Sequence, residues 1–502
     1  MTILSLATLD RVPPAVARPA YDPRSVGTGI VHLGIGAFHR AHQAIYTDDA
    51  LAQKGGAWGI CGVSLRSPDV RDRMTPQDGL YTAVEKSPAG MQRRIIGSVR
   101  EVLFLSAERK MVDARLADRA TKIVTLTVTE KGYCHDPATG RLNIDHPDIV
   151  HDLVQLHEPA SVVGLLVSAL EARRHDGAGP LTIICCDNLP HNGRVLRGLV
   201  ATFAQARDGA LAAWIEKNTS FPSTMVDRIV PATTAADISD NDAALGMHDA
   251  APVVFEPFKQ WVIEDAFVTP RPGWEVGGAE FVADVVPFEA MKLRLLNASH
   301  SAFAYLGFLA GHEYIYQVAA QPDFVAFMRR FMNEEVTPTL QIPAGIDVGA
   351  YRDALVRRFA NPALPHRTQQ IAMDGSQKLP QRLLATARDN LAAGRPMPLL
   401  ALAIAGWMRY VAGRDEAGRA IKVDDPLAAQ FAAIADAHRD DPPGLARALF
   451  GVRAIFGDDL VRDPRFSEPV TGWLAALHAE GAARTVASAV ASAAVNSVSR
   501  NH

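Results

Sequence analysis

Residues 291–301 read Met-Lys-Leu-Arg-Leu-Leu-Asn-Ala-Ser-His-Ser, which puts an amine, an amide and an imidazole on one segment with helical apolar spacing. At about 100° per residue, Asn297 lies about 140° and His300 about 80° around the axis from Lys292, and Glu289 falls in the same arc. All four side chains can therefore face one cavity while apolar neighbours pack the rest of the helix. A lysine so placed can move a proton, and the amide and imidazole can steady a developing alkoxide, with no metal required. Taken alone, the pattern equally describes an amphipathic helix with a polar stripe.

A second motif lies near the N-terminus. The run Gly-Ile-Val-His-Leu-Gly-Ile-Gly-Ala-Phe-His-Arg (29–40) is a short apolar stretch ending in Gly-x-Gly. A helix-compatible segment (about 40–54) and a second apolar run (58–63) follow. This is the strand–turn–helix–strand context of a dinucleotide-binding unit. Gly34 would make the tight turn and Gly36 would let backbone approach a pyrophosphate, with Ile35, Ala37 and Phe38 completing the cradle. His39 occupies the place of the usual third glycine, so a simple tight turn stays open as the other reading. After the second run come Arg66 and Asp69. An acid there suits the ribose hydroxyl of NAD and an arginine suits the 2′-phosphate of NADP, so the two residues pull in opposite directions.

These segments recur in a recognisable order: GIGAFHRAHQAIY, TVTEKGY (127–133), CDNLPHNG (186–193), FPSTMVDRIVP (221–231), FEAMKLRLLNASHS (288–301) and AMDGSQKLPQR (372–382). The set resembles the mannitol dehydrogenase family of long-chain polyol and hexuronate dehydrogenases over roughly residues 25–385. The resemblance implies a metal-independent oxidoreductase that exchanges hydride between a nicotinamide and a secondary alcohol, with NAD as cofactor and NADP as the alternative. It implies that Lys292 is the general acid/base, a role that burial of its amine would favour by lowering its pKa. Asn297 and His300 would then bind the reacting oxygen, with Asn188 as a further donor, and Glu289 would relay protons. Asp227 would accept bonds from substrate hydroxyls. On residue chemistry alone, Asn188 also reads as a turn-forming Asn and Asp227 as the partner of Arg228.

The substrate is read from residues 361–378. Where the mannitol-oxidising branch carries an arginine eight residues before Lys378, this chain has Gln370. The stretch instead resembles fructuronate reductases, which interconvert D-fructuronate and D-mannonate. His366, Arg367 and Lys378 could hold the carboxylate, although a solvated loop also explains the first two. A mannitol 2-dehydrogenase acting on D-mannitol and D-fructose is the alternative.

The 502 residues, 48% hydrophobic and 21% charged, are ordinary globular material for two or three domains. A net charge of −4 with no Lys/Arg run argues against a nucleic-acid partner. No apolar stretch is long enough for a membrane span, and the first residues argue against a signal peptide. Four cysteines without CxxC spacing and sixteen histidines without HExxH point to a reducing cytoplasm, no disulfide and no metal. The expected partner is a small sugar acid or polyol; nothing in the pattern sets the oligomeric state.

Strand patterns at 30–33, 58–63, 123–128 and 181–186 alternate with helical ones at 41–54, 161–174 and 193–206, with β-rich pieces inserted at 69–101. The expected fold is α/β. Residues 25–283 form a Rossmann-like dinucleotide-binding domain with a β insertion, and residues 284–502 form an all-helical substrate and catalytic domain.

Overall fold

In the computed structural model, which describes residues 2–136 and 139–498, the chain divides into two compact units, Met1–Val286 and Pro287–His502. The first is built on a parallel sheet of six strands: β1 (Thr28–Leu33), β2 (Gly59–Ser64), β3 (Val99–Phe104), β4 (Ile123–Leu126), β5 (Leu181–Cys185) and β6 (Thr219–Ser220). Their spatial order is 3-2-1-4-5-6, the order of a doubly wound dinucleotide-binding sheet. Both faces are covered. Val31, Leu33, Cys61, Val63, Val124 and Leu126 pack on one side, and Ile30, Ile60 and Ile123 on the other. Burial on both faces explains why these strands read as continuous apolar runs rather than alternating ones. Cys185 and Cys186 fall into opposite cores, and all four cysteines are buried thiols.

Two details differ from the sequence reading. The β insertion is the hairpin Tyr81–Ser87/Gly90–Ile96, which pairs with Val253–Phe255. The strand after it, β3, belongs to the main sheet. Its Arg100 and Glu101 masked it, because an edge strand tolerates charge that a central one does not. The helix after β1 is also broken: Ala37–Ala41 and Gln43–Lys54 meet at His42, whose φ of −131° and ψ of −91° interrupt the winding.

That break sits in a buried histidine cluster. His32 lies 2.7 Å from Thr125 Oγ1 and 2.9 Å from Thr127 Oγ1 through its two ring nitrogens. His39 stacks on it with centroids 3.4 Å apart. His39 thus fills the space between helix and strand that a third glycine would leave for close packing.

The second unit is helical. Pro398–Val411 is buried on nearly every side at its centre, as expected for a helix without a polar face. Three of its helical segments contain π-helical turns: Lys292–Asn297, Phe331–Val336 and Pro380–Leu384. Among the described residues no helix is long and apolar enough to cross a membrane.

Burial drives the His32 and His42 imidazoles down to about 3, only partly opposed by hydrogen bonds to the carbonyls of Gly34 and Gln260. Both stay neutral in the fold but charge near pH 6.5 when unfolded, so the unfolded chain binds more protons as pH falls. Stability is therefore present above about pH 6.5 and lost progressively below it. The melting temperature should fall steadily from about pH 7 to pH 5, above the range of ordinary carboxylates. A flat profile over that interval would contradict the neutral cluster.

Candidate functional site

In the sheet unit, β1 ends in the Gly34-Ile35-Gly36 turn. Gly34 has φ +96°, and a Cβ on it would lie 2.1 Å from the Thr127 carbonyl oxygen. Gly34 O accepts a bond from Thr127 Oγ1 at 2.8 Å, which ties the loops after β1 and β4 together. Gly36 is different. A Cβ there would meet only the Gly34 carbonyl, at 3.9 Å, so packing within the unit does not require glycine. The open face is where a backbone-hugging ligand would sit. Ile35 is buried and packs over Gly62, while Ala37 and Phe38 are half-buried at the start of the short helix. Arg66 and Asp69 are exposed just beyond β2, with Asp69 opening the helix Asp69–Met74.

The loops after β4 and β5 are joined by Asp187, whose carboxylate accepts from the amides of Val128 and Thr129 at 3.0 Å each and from Tyr133 Oη at 2.5 Å. Thr129 is held at φ +68°, ψ 157°, a conformation that costs a β-branched residue about 1–3 kcal/mol. Strain of this kind, at the carboxyl edge of a parallel sheet, marks a loop whose shape matters. Asn188 follows on that edge and is exposed. Asp227 ends the strand Thr224–Asp227 and is 4% exposed. Its neighbour Arg228 donates to the carbonyls of Ala41 and Glu256, lies 3.6 Å from Glu85 and stacks on Phe255.

In the helical unit, Glu289 lies on Val286–Met291 and is half-buried. Lys292 opens the π-turn with 8% exposure, and Asn297 closes it. The sequence reading assumed plain α-geometry here. In a π-turn, with i→i+5 bonding and about 80° per residue, Asn297 comes to about 40° of Lys292 rather than about 140°. His300 follows on Ala298–Leu309. Its ring stacks between Phe359 and His366, with centroid distances of 5.0 and 5.8 Å. Its Nε2 is enclosed and has no hydrogen-bond partner among the described residues. Burial first, then the charges of His366, Arg382, Arg358 and Lys378, hold His300 well below the usual imidazole range. His366 is pushed down to about 4 by burial and Arg358.

Of the three groups assigned to a carboxylate, His366 is thus beside His300. Lys378 donates to the carbonyls of Met373 and Ile371, at 2.5 and 3.4 Å. Arg367 is exposed, paired with Glu313 and placed over Tyr314, so it does not join the group. Gln370 is exposed. Arg358 and Arg382, which the sequence reading did not single out, act on His300 instead. Arg382 stands within the family-like string 372–382, four residues after Lys378, which was the available signal. A cavity of about 630 Å³ elsewhere in the helical unit, between Phe450 and Thr471, contains none of these residues. Among the described residues, Cys134, His146 and Asp148 hold potential metal-ligating atoms within 4.8 Å of one another. However, His146 Nδ1 already accepts the Asp148 amide at 3.2 Å.

Residues 28–276 match the family model of the mannitol dehydrogenase Rossmann domain, and residues 284–478 that of the mannitol dehydrogenase C-terminal domain. The chain is 47% identical to the D-mannonate oxidoreductase of Escherichia coli, over 94% of this chain and 98% of that one. It is 40% identical to a mannitol 2-dehydrogenase of Pyricularia oryzae, over 90% and 91%. The structure of Pseudomonas fluorescens mannitol 2-dehydrogenase, solved as a ternary complex with NAD and D-mannitol, superposes with a TM-score of 0.87 at 39% identity, covering 97% of this chain and 99% of that one. The chain therefore belongs to the mannitol dehydrogenase family. It is an oxidoreductase.

The two glycines make a discriminating pair. Gly34→Ala should lower stability by about 1–3 kcal/mol, seen as a fall in melting temperature, because both φ and the Thr127 carbonyl oppose a side chain. Gly36→Ala should leave the melting temperature unchanged while weakening NADH binding at least tenfold. Unaltered NADH affinity would remove the turn from cofactor binding.

Proposed function

We propose that this enzyme interconverts D-fructuronate and D-mannonate with NAD, using Lys292 as general acid/base. The observation that carries the reading is the Lys292–Asn297 π-turn beside a neutral His300, in a chain closer in sequence to a D-mannonate oxidoreductase than to the mannitol 2-dehydrogenase compared above. The Gly34–Phe38 turn, with open space in front of Gly36, fits the pyrophosphate of a dinucleotide. When bound, the nicotinamide supplies the hydride to the ketone carbon or takes it from the alcohol.

In the reducing direction, Lys292 delivers a proton to the ketone oxygen as negative charge develops there. In the oxidising direction it removes the hydroxyl proton. Asn297 donates through its amide and His300 through the single N–H of a neutral imidazole, and both bonds strengthen as the oxygen becomes anionic. Glu289, one helical turn before Lys292, returns the proton to solvent. Asn188 donates to a neighbouring substrate oxygen, and Asp227 accepts from substrate hydroxyls. His366 and Lys378 serve the carboxylate end, with Arg358 and Arg382 adding positive charge in place of Arg367. Arg66 and Asp69 stand where the cofactor's ribose would be read, and the family precedent favours NAD. D-mannitol oxidation is the second reading, favoured by the likeness to a structure that holds D-mannitol and NAD.

Lys292→Ala should reduce kcat by at least about 10³-fold while leaving NADH affinity within a factor of about two. Turnover that survives the substitution would take the lysine out of the chemistry. NADH oxidation at 340 nm should show a kcat/KM for D-fructuronate at least a hundredfold above that for D-fructose, and a preference for NADH over NADPH. The reverse substrate order would establish the mannitol reading instead.

A further inference from the structure

Arg382 lies in the π-turn Pro380–Leu384, which packs against the π-turn Lys292–Asn297. Its Nη1 donates to Ser301 Oγ at 3.0 Å and approaches the Asn297 carbonyl at 3.4 Å. Ser301 is 2% exposed and directly follows His300, while Asn297 is the last residue of the widened turn. One guanidinium therefore grips the segment at Asn297 itself and just beyond His300. We propose that Arg382 is a positioning residue, which holds the π-turn in register so that Asn297 and His300 aim at the same reacting oxygen.

The physical need for such a group is direct. A π-turn is rare because ordinary α-winding is preferred, so a contact from outside the segment must favour the wider register. Relaxing to α-geometry would swing Asn297 by about 100° relative to Lys292. Nothing within residues 292–297 forces the turn, since the segment contains neither proline nor glycine. Both contacts come from the one terminal nitrogen Nη1, whose two N–H groups are fixed in the guanidinium plane, so a hydroxyl and a carbonyl are held at a set angle.

The same cation acts on His300 electrostatically. The titratable groups facing that ring are His366, Arg358, Lys378 and Arg382, and all of them disfavour its protonation, as burial does. Removing one cation lets His300 protonate at a higher pH. The acidic limb of the kcat profile, where His300 becomes charged, then moves upward. That shift reports the charge alone; positioning is read from kcat in Arg382→Lys, which keeps the charge but not the arginine's grip on Ser301 and Asn297.

This inference rests on the reading that Lys292, Asn297 and His300 carry the reaction. The test uses the full-length enzyme and the variants Arg382→Gln, Arg382→Lys, Ser301→Ala and Lys292→Ala, with kcat, KM, NADH affinity, melting temperature and the kcat–pH profile measured for each. Arg382→Gln should lower kcat by about 10²-fold, the scale of a small misplacement of catalytic groups. Its NADH affinity should stay within twofold, and its acidic limb should shift upward. Arg382→Lys should restore the limb but only part of kcat. Ser301→Ala should lower kcat several-fold with the limb unmoved.

Wild-type kcat in Arg382→Gln, or a loss with an unmoved limb and an equal fall in NADH affinity, overturns the proposal. Should Arg382→Gln fail to fold, Ser301→Ala decides, and unchanged kcat there overturns it as well. A dead Lys292→Ala enzyme beside a fully active Arg382→Gln enzyme sinks this inference alone. A fully active Lys292→Ala enzyme sinks the reading beneath it.

Discussion

A helix packed on most of its surface has little freedom to aim polar groups, and the rest of the helical unit follows from how that constraint is met. Of the residues in Ala298–Leu309, all but His300 and Phe308 are buried. Rotating the whole helix to bring Lys292 and Asn297 together would pull apolar side chains out of the core, at about 25 cal/mol for each Å² exposed. A local change of winding avoids that loss. The π-turn shifts Asn297 relative to Lys292 while the helix beyond it keeps its packing. The two neighbouring π-turns have separate origins. In Pro380–Leu384 the proline removes a backbone donor and displaces the winding by itself. Phe331–Val336 itself holds neither proline nor glycine, but Pro338 follows two residues later and opposes α-bonding to the Glu334 carbonyl, whereas Lys292–Asn297 has no proline in or just after it.

The sheet unit solves a different problem, that of holding loops still at the edge where parallel sheets place ligands. The strand order reverses between β1 and β4, so the loops after these two strands diverge and leave a crevice. Here they are cross-tied. Thr127 bonds both His32 and the Gly34 carbonyl, and Asp187 draws in the amides of Val128 and Thr129. Asn188 therefore extends from a loop whose preceding residue, Asp187, is held by hydrogen bonds from Val128, Thr129, Tyr133 and Asn192. The strained Thr129 is tolerated because its amide is one of the groups Asp187 holds.

Most of the sheet unit was legible in the sequence because a strand buried on both faces leaves an uninterrupted apolar run, and because Gly-x-Gly between such a run and a helix has few structural meanings. β3 was missed since its Arg100 and Glu101 break that run at an edge. Lys292, Asn297 and His300 stand out by their spacing, but the angles between them do not follow from it. The period of a helix is assumed when a sequence is read, and a π-turn without proline or glycine leaves no local mark. Arg367 reads as a carboxylate ligand because it sits next to His366 in the chain, whereas nothing in the sequence marks Arg358. Loop neighbours diverge, however, and Arg367 turns to Glu313 and Tyr314.

On the proposed function, the cations around His300 would link substrate charge to the chemistry. Arg358, Arg382 and Lys378 all disfavour an imidazolium at His300, and Arg358 does so at His366. Burial first, and that field second, keeps both rings neutral, which leaves His300 with one donor and one acceptor. A bound carboxylate would offset part of the field, so the energy otherwise set against protonating these rings would be available to hold an anion. A neutral polyol would leave the field as it stands. On the proposed function, the arrangement would distinguish a sugar acid from a polyol through the summed charge around two imidazoles rather than through any one arginine. That is why a glutamine at position 370 and an outward-facing Arg367 are both compatible with an anionic substrate.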